Sequence, residues 1–492
     1  MRHRGEVSML RRRLIVAGFV VILAGAGVLN SVVKRHDLAG VQGIEAATSA
    51  ITIGSHATSS AWYCPGPLPI GHRGEQSSIE IANLSSGSVH AQVHIASNTG
   101  MSELNSYVVG AKGHRTVALP LSKTATYGAA SVVVNGRGVG VNEVIATSAG
   151  IATSACTTHT AQNTYFGIGS TAGSANMAIS LFNPGATPAV ADLSFTVGAT
   201  STLPSAFSSV PIEPGQDVVL FAGHVLPQRS ALSLGVTTVS GRIAVGVMHF
   251  KVTSGVLGRS LVLGSQVPLG RWWFAPTVVA PGIEQVYSLL NTTSRQERVR
   301  LTLSGAGAEG SITMVVGADA NLQYVMPRIR AAGIQSSSVA VIGRGSLIVD
   351  REMIVSRQLS LSSQIRKIQL PSTLPAGFIV TSPSVGPTKT WMIGGGRSDS
   401  VASEVIAIAN PQRVSTKVSI DEIVNGRSLA VPGVGPMQIG PRALASIDLS
   451  RYLKNSVGLE IVVHATTPVV AGMTEYAFSA HGLNAPAALP VR

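Results

Sequence analysis

Short bursts of alternating apolar and polar residues run the length of this chain, and one burst recurs four times with the same ending. Ser78-Ile79-Glu80-Ile81-Ala82-Asn83, Ala178-Ile179-Ser180-Leu181-Phe182-Asn183-Pro184-Gly185, Val286-Tyr287-Ser288-Leu289-Leu290-Asn291 and Glu404-Val405-Ile406-Ala407-Ile408-Ala409-Asn410-Pro411 all run to an Asn. Alternation at period two turns one strand face into a core. The Asn then punctuates, because its side chain bonds nearby backbone and tolerates a left-handed conformation. A second strand follows each turn: Val89, Ala91, Val93 and Ile95 alternate with His90, Gln92 and His94 in the first copy, and Val299, Leu301 and Leu303 with polar neighbours in the third. The pattern predicts four β-hairpins.

Each copy closes on two Val/Ile-rich strands around a small turn, at Asn135-Gly136, Ser240-Gly241, Gly343-Arg344-Gly345 and Ala465 to Pro468. The Asn residues stand 100, 108 and 119 positions apart. Aromatics open every copy: Trp62-Tyr63, Tyr165-Phe166, Trp272-Trp273-Phe274 and Trp391. Only 4% of the chain is aromatic, so their recurrence at one place marks a core plug under the first strand, or a carbohydrate-stacking platform. Units of about 100 residues built of short strands have the size of an immunoglobulin-like β-sandwich. The expected fold is all-β, with four tandem sandwich repeats at 62–156, 157–270, 271–375 and 376–492. A stiff Pro-containing linker or long loop is expected from Pro371 to Pro387, and a short helical turn at Leu449 to Leu453.

Ahead of the repeats, residues 1–13 carry five arginines. Leu14 to Val33 is an uncharged, mostly apolar run closed by Lys34-Arg35. Its twenty residues span a bilayer as a helix, and the arginines before it favour a cytoplasmic N-terminus with the bulk outside. A cleaved signal peptide, cut near Ala24-Gly25-Ala26, is the rival reading; the apolar run continuing past that site favours an uncleaved anchor. Residues 34–61 read as a Gly/Ala/Ser/Thr-rich stalk.

In an exported chain the two cysteines, Cys64 and Cys156, read as a disulfide bracketing the first repeat. An Arg cluster and membrane helix, then Trp62-Tyr63-Cys64-Pro65 opening a Val/Ser/Gly-rich region with a second Cys further on, resemble a family of actinobacterial membrane-anchored exported proteins of unknown function. The resemblance implies an envelope location and no mechanism.

Charge changes this picture little. The formal net charge is +13, yet only 12% of residues are charged. Apart from the N-terminus, the excess sits in the third repeat, where Arg328, Arg330, Arg344, Arg351, Arg357, Arg366 and Lys367 are candidate contacts for an anionic polymer. Nucleic acid is not an expected partner, because the chain shows no reader fold and reads as exported. The zinc and nucleophile-elbow patterns His-Glu-x-x-His and Gly-x-Ser-x-Gly are absent, so no catalytic, metal or cofactor residue is assigned. Gly394-Gly395-Gly396 reads as turn or loop, and His90 with His94 as surface residues. Asn83-Leu84-Ser85 and Asn291-Thr292-Thr293 match glycosylation sequons, but lie in the expected turns. The expectation is a non-enzymatic envelope protein whose β-domains serve in structure or bind wall polymer or another envelope protein. An accessory subunit of a glycolipid or polysaccharide assembly complex is the alternative, and an enzyme of unrecognised type the lesser one.

Overall fold

The computed structural model describes residues 52–53, 59–71 and 74–491, apart from 148–149, 254–255, 306–307, 327–335, 362–368, 385, 399–401, 425, 455, 479–481 and 487. The expected anchor at Leu14 to Val33, the basic tail and most of the stalk lie outside the described residues. No helix among the described residues is long and apolar enough to cross a membrane. The described chain is all-β and antiparallel apart from isolated bridges, with three single-turn 3-10 segments; one of these, Leu449–Arg451, falls where a helical turn was expected.

The first repeat sets the pattern. Its strands are β1 (Ser59–Pro69), β2 (Gln76–Asn83), β3 (Val89–Ser97), β4 (Gly100–Val109), β5 (Gly113–Ala118), β6 (Tyr127–Asn135), β7 (Val139–Thr147) and β8 (Gly150–Ala155). One sheet orders β1-β6-β3-β4 and the other β5-β2-β7-β8. Trp62, Val93 and Val132 from the first meet Ile79, Ile81 and Ile145 from the second in one core. The disulfide joins Cys64 in β1 to Cys156 just after β8, so it ties one sheet to the other across that core.

The expected hairpins at the Asn residues are corrected here. β2 and β3 belong to different sheets, and so do β6 and β7; the local hairpins are β3–β4 and β7–β8. Asn83 shows why. Its Nδ2 donates to the carbonyls of Gly87 (2.8 Å), Val109 (3.2 Å) and Gly110 (2.9 Å), while its Oδ1 accepts from Ser85 N (2.9 Å). The side chain therefore ties the turn to the chain leaving β4, and the strand after the turn enters the opposite sheet. The same bonds recur at Asn183, Asn291 and Asn410. All four residues are at most 1% exposed. The two sequon amides are thus buried and engaged in the folded chain.

The later repeats reuse this pairing. Asn163–Phe166, Ser233–Ser240, Ala189–Val197 and Thr200–Thr202 form one sheet of the second repeat; Asp217–Phe221, Asn176–Phe182, Ala244–Thr253 and Val256–Leu263 form the other. In the third and fourth repeats the strands equivalent to β6 and β7 fuse into one long strand, Ser336–Val355 and Ser456–Ala477, that passes from sheet to sheet. The Pro-rich stretch expected as linker holds a strand instead: Gly377–Thr381 pairs with Arg351 to Val355 and completes the third repeat, not the fourth. It therefore occupies the place that β8 has in the first.

The four repeats close into a ring. The strands β8, Val256–Leu263, Gly377–Thr381 and Gly482–Asn484 touch in that order, and the last touches β8 again. Each opening strand also packs on the next repeat's inner sheet. Gly246 lies against the Pro65 backbone, Gly167 N donates to Asp350 Oδ2 (2.6 Å), Gly472 lies against Ala275, and Met392 packs on Gly140. Arg259 pairs with Glu75 across the first junction and Lys251 with Glu352 across the second. Both ends of the described chain meet at the seam between the fourth and first repeats. There Ile53 N donates to Pro490 O (3.0 Å) and Val491 N to Thr390 O (3.1 Å).

Candidate functional site

Ring closure leaves a cavity of about 440 Å³ among the strands of all four repeats. Its wall is built by alternation. In Leu269–Val278, Trp272 and Phe274 point into the third repeat's core, so Trp273 between them points out of the sheet toward the cavity. Trp273 is partly exposed, and its backbone is fixed by bonds with Ser384 in both directions, 2.9 and 2.8 Å. Thr381, Ser382, Thr388 and Gln266 add hydroxyl and amide groups to the lining.

Among the described lining residues Arg351 carries the only charge. It is 4% exposed, which departs from the expected surface contact. Its guanidinium donates to Ala275 O (2.9 Å), Thr277 Oγ1 (3.4 Å) and Thr381 Oγ1 (3.2 Å), and lies 5.2 Å from the centre of the Phe274 ring. Burial next to a ring and three acceptors, rather than an acidic partner, holds this charge. Arg344 and Arg357 are exposed, the first midway along the strand Ser336–Val355 and the second two residues past its end; Arg328, Arg330, Arg366 and Lys367 lie outside the described residues. The described arginines therefore do not converge on one patch.

The opening aromatics are core residues in three repeats. Trp62, Trp272 and Trp391 are 1%, 2% and 1% exposed and stand opposite equivalent positions, Val132, Val341 and Val463. Trp272 Nε1 donates to Leu347 O (2.8 Å) and Trp391 Nε1 to Val469 O (2.9 Å). Thr164 takes this place in the second repeat. Tyr63, Tyr165 and Trp273 are the partly exposed opening aromatics, and of these three Trp273 lines the cavity; the run Trp272-Trp273-Phe274 contained it without marking which ring faced out.

Buried acids line the junctions. Burial raises Asp217 to about 8, against a bond from Ser180, and Asp350 to about 6, against bonds from Gly167, Ser382 and Ile168. Burial raises Glu143 to about 8, and lowers His249 to about 3. Among the described residues one group brings metal-type ligand atoms within 4.8 Å of each other: Cys64, Glu143 and Cys156. Its two sulfurs are bonded to each other, so it offers no thiolate.

A family model described as a family of unknown function (DUF5719) matches residues 143–326. The Trp62 to Pro65 motif lies outside that stretch. No curated protein matches the chain. Among solved structures, Thermotoga maritima 1070 is similar over 24% of this chain and 93% of its own, at 8% identity and a TM-score of 0.19. The Anabaena sensory rhodopsin transducer is similar over 17% of this chain and 94% of its own, at 12% identity and a TM-score of 0.15.

Proposed function

We propose that this is a non-enzymatic, single-pass envelope protein, anchored through Leu14 to Val33 with its N-terminus in the cytoplasm. Outside the membrane, four immunoglobulin-like sandwiches form a ring that binds a carbohydrate segment of wall polymer in the central cavity. Trp273 carries the reading. A partly exposed indole on the wall of a 440 Å³ cavity suits the apolar face of a sugar ring. The surrounding hydroxyls, carbonyls and Arg351 guanidinium suit its polar edges and an acidic substituent. Titration of the protein with soluble wall-polysaccharide fragments, followed by tryptophan fluorescence, tests it. Saturable quenching is expected, weakened at least tenfold by Trp273→Ala and less by Trp273→Phe. Absence of saturable binding, or binding unchanged by Trp273→Ala, would sink the reading.

A further inference from the structure

Arg344 stands apart from Arg351 and Arg357, but it does not stand alone. Its strand lies between Leu269–Val278 and Glu297–Gly305, and the ladder sets Arg271 from one and Arg300 from the other directly beside Ile342. Alternation fixes the faces. Trp272, Val341, Val299 and Leu301 turn into the third repeat's core, so Arg271, Ile342, Arg298 and Arg300 turn out of it together. Arg344 follows Ile342 by two positions. Arg271, Arg298, Arg300 and Arg344 are all exposed. Trp273 shares this face, two positions after Arg271 and opposite Ala340. The indole on the cavity wall and the arginines therefore belong to one continuous sheet surface. Arg271 lies about 7 Å along the strand from Trp273, and Arg300 about 10 Å across from Arg271.

No described group offsets this charge. None of the four arginines forms an ion pair among the described residues. The acid of the neighbouring strand, Glu297, is 3% exposed and turns the other way, where it accepts from Arg344 N and Ser346 Oγ. On the strand beyond, Val315 and Thr313 stand opposite Arg298 and Arg300. Like charges gathered on one sheet face cost stability unless a counter-charge arrives. Arg351, the charge inside the cavity, has the same sign.

We propose that the ligand is an acidic polysaccharide, with an acid group on successive sugars, and that it runs out of the cavity past Trp273 over Arg271, Arg300, Arg298 and Arg344. The proposal rests on the reading of the cavity as a carbohydrate site and adds the class of carbohydrate. A guanidinium fork matches a carboxylate in two parallel bonds, which an ammonium does not. Four such forks in series, continuous with a stacking ring, suit a repeating polyanion better than one small anion.

The test uses the full chain in detergent, titrated with oligogalacturonate and with its methyl ester, the same sugar without the charge. Tryptophan fluorescence reads binding. The acid is expected to bind at least tenfold more tightly than the ester, and added salt is expected to weaken the acid alone. Arg271→Gln with Arg300→Gln should weaken the acid about tenfold, blunt its salt dependence and leave the ester and Tm unchanged. Arg137→Gln with Arg242→Gln removes the same charge from exposed sites on the first two repeats and should change nothing. Acid and ester binding alike, or equal losses in the two double variants, would overturn the proposal; the cavity reading would then stand if Trp273→Ala still removed both ligands. Acid binding that survives Trp273→Ala but is lost with Arg271 and Arg300 would keep the arginine face and sink the cavity reading. Phosphatidylglycerol vesicles bound through the same arginines, with no salt-sensitive binding of oligogalacturonate, would also overturn the proposal and make the face a membrane contact.

Discussion

A buried asparagine does in each repeat what a turn residue alone does not. Asn183 is typical: one amide holds the carbonyls of Thr187 and Ile212 while its oxygen takes Gly185 N. Removing it leaves two carbonyls and an amide N–H without their partner, so Asn183→Ala is expected to cost roughly 1–3 kcal/mol in urea unfolding. A surface asparagine would cost almost nothing. The position was legible, because Asn ends each alternating burst. Its partner at Ile212 was not, since that carbonyl lies 29 residues on and only tertiary structure brings it back. The same limit applies to Trp273: the run of aromatics was visible, but which ring faces out depends on register.

Strand alternation was readable at the scale of elements, while strand partnership was not. Two strands joined by a short turn look alike in sequence whether they pair or cross between sheets, so β2–β3 and β6–β7 were expected as hairpins and are crossings. Glycines mark where strands of different repeats meet. A Cβ on Gly246 would lie 2.8 Å from Pro65 O and 3.0 Å from Gly66 N, both backbone atoms that cannot rotate away. Gly246→Val is therefore expected to cost about 1–3 kcal/mol by overpacking the junction of the first two repeats. Urea unfolding with an unchanged midpoint would contradict that junction. The triple glycine carries the same message in a form the sequence disguised: three consecutive glycines resemble a loop, and only the approach of Glu460, Glu80 and Glu404 explains them inside a strand.

For the whole molecule, the four copies could be read from spacing and the pairing of the two cysteines from their even count in a chain read as exported, and the disulfide is formed. Reduction is expected to remove up to roughly 4–5 kcal/mol of chain-entropy stabilisation from the first repeat, seen as a lower Tm in dithiothreitol. The ring could not be read, because its contacts join strands of different repeats through small residues with no periodic signal. Its junctions bury acids, and this sets a pH dependence. Asp217, raised from 3.8 to about 8, and Asp350, raised to about 6, bind more protons folded than unfolded. Their contribution is full below about pH 4 and is lost as pH rises through those folded values. Glu143, raised from 4.5 to about 8, acts with the two aspartates, and His249, lowered from 6.5 to about 3, works in the opposite direction between those two values, one group against three. Tm is expected to fall from pH 5 to pH 8, each unopposed group contributing on the order of 1 kcal/mol per pH unit. A Tm that rises over that range would place these acids in solvent.

The closed ring holds the cavity, the seam and the buried acids together, so its shape in solution is the measurement to make. Small-angle scattering from the region after the anchor should give a radius of gyration near that of one compact body of this length, about 22–25 Å. An open string of four domains would give roughly 40 Å, and would leave neither a central cavity nor a seam.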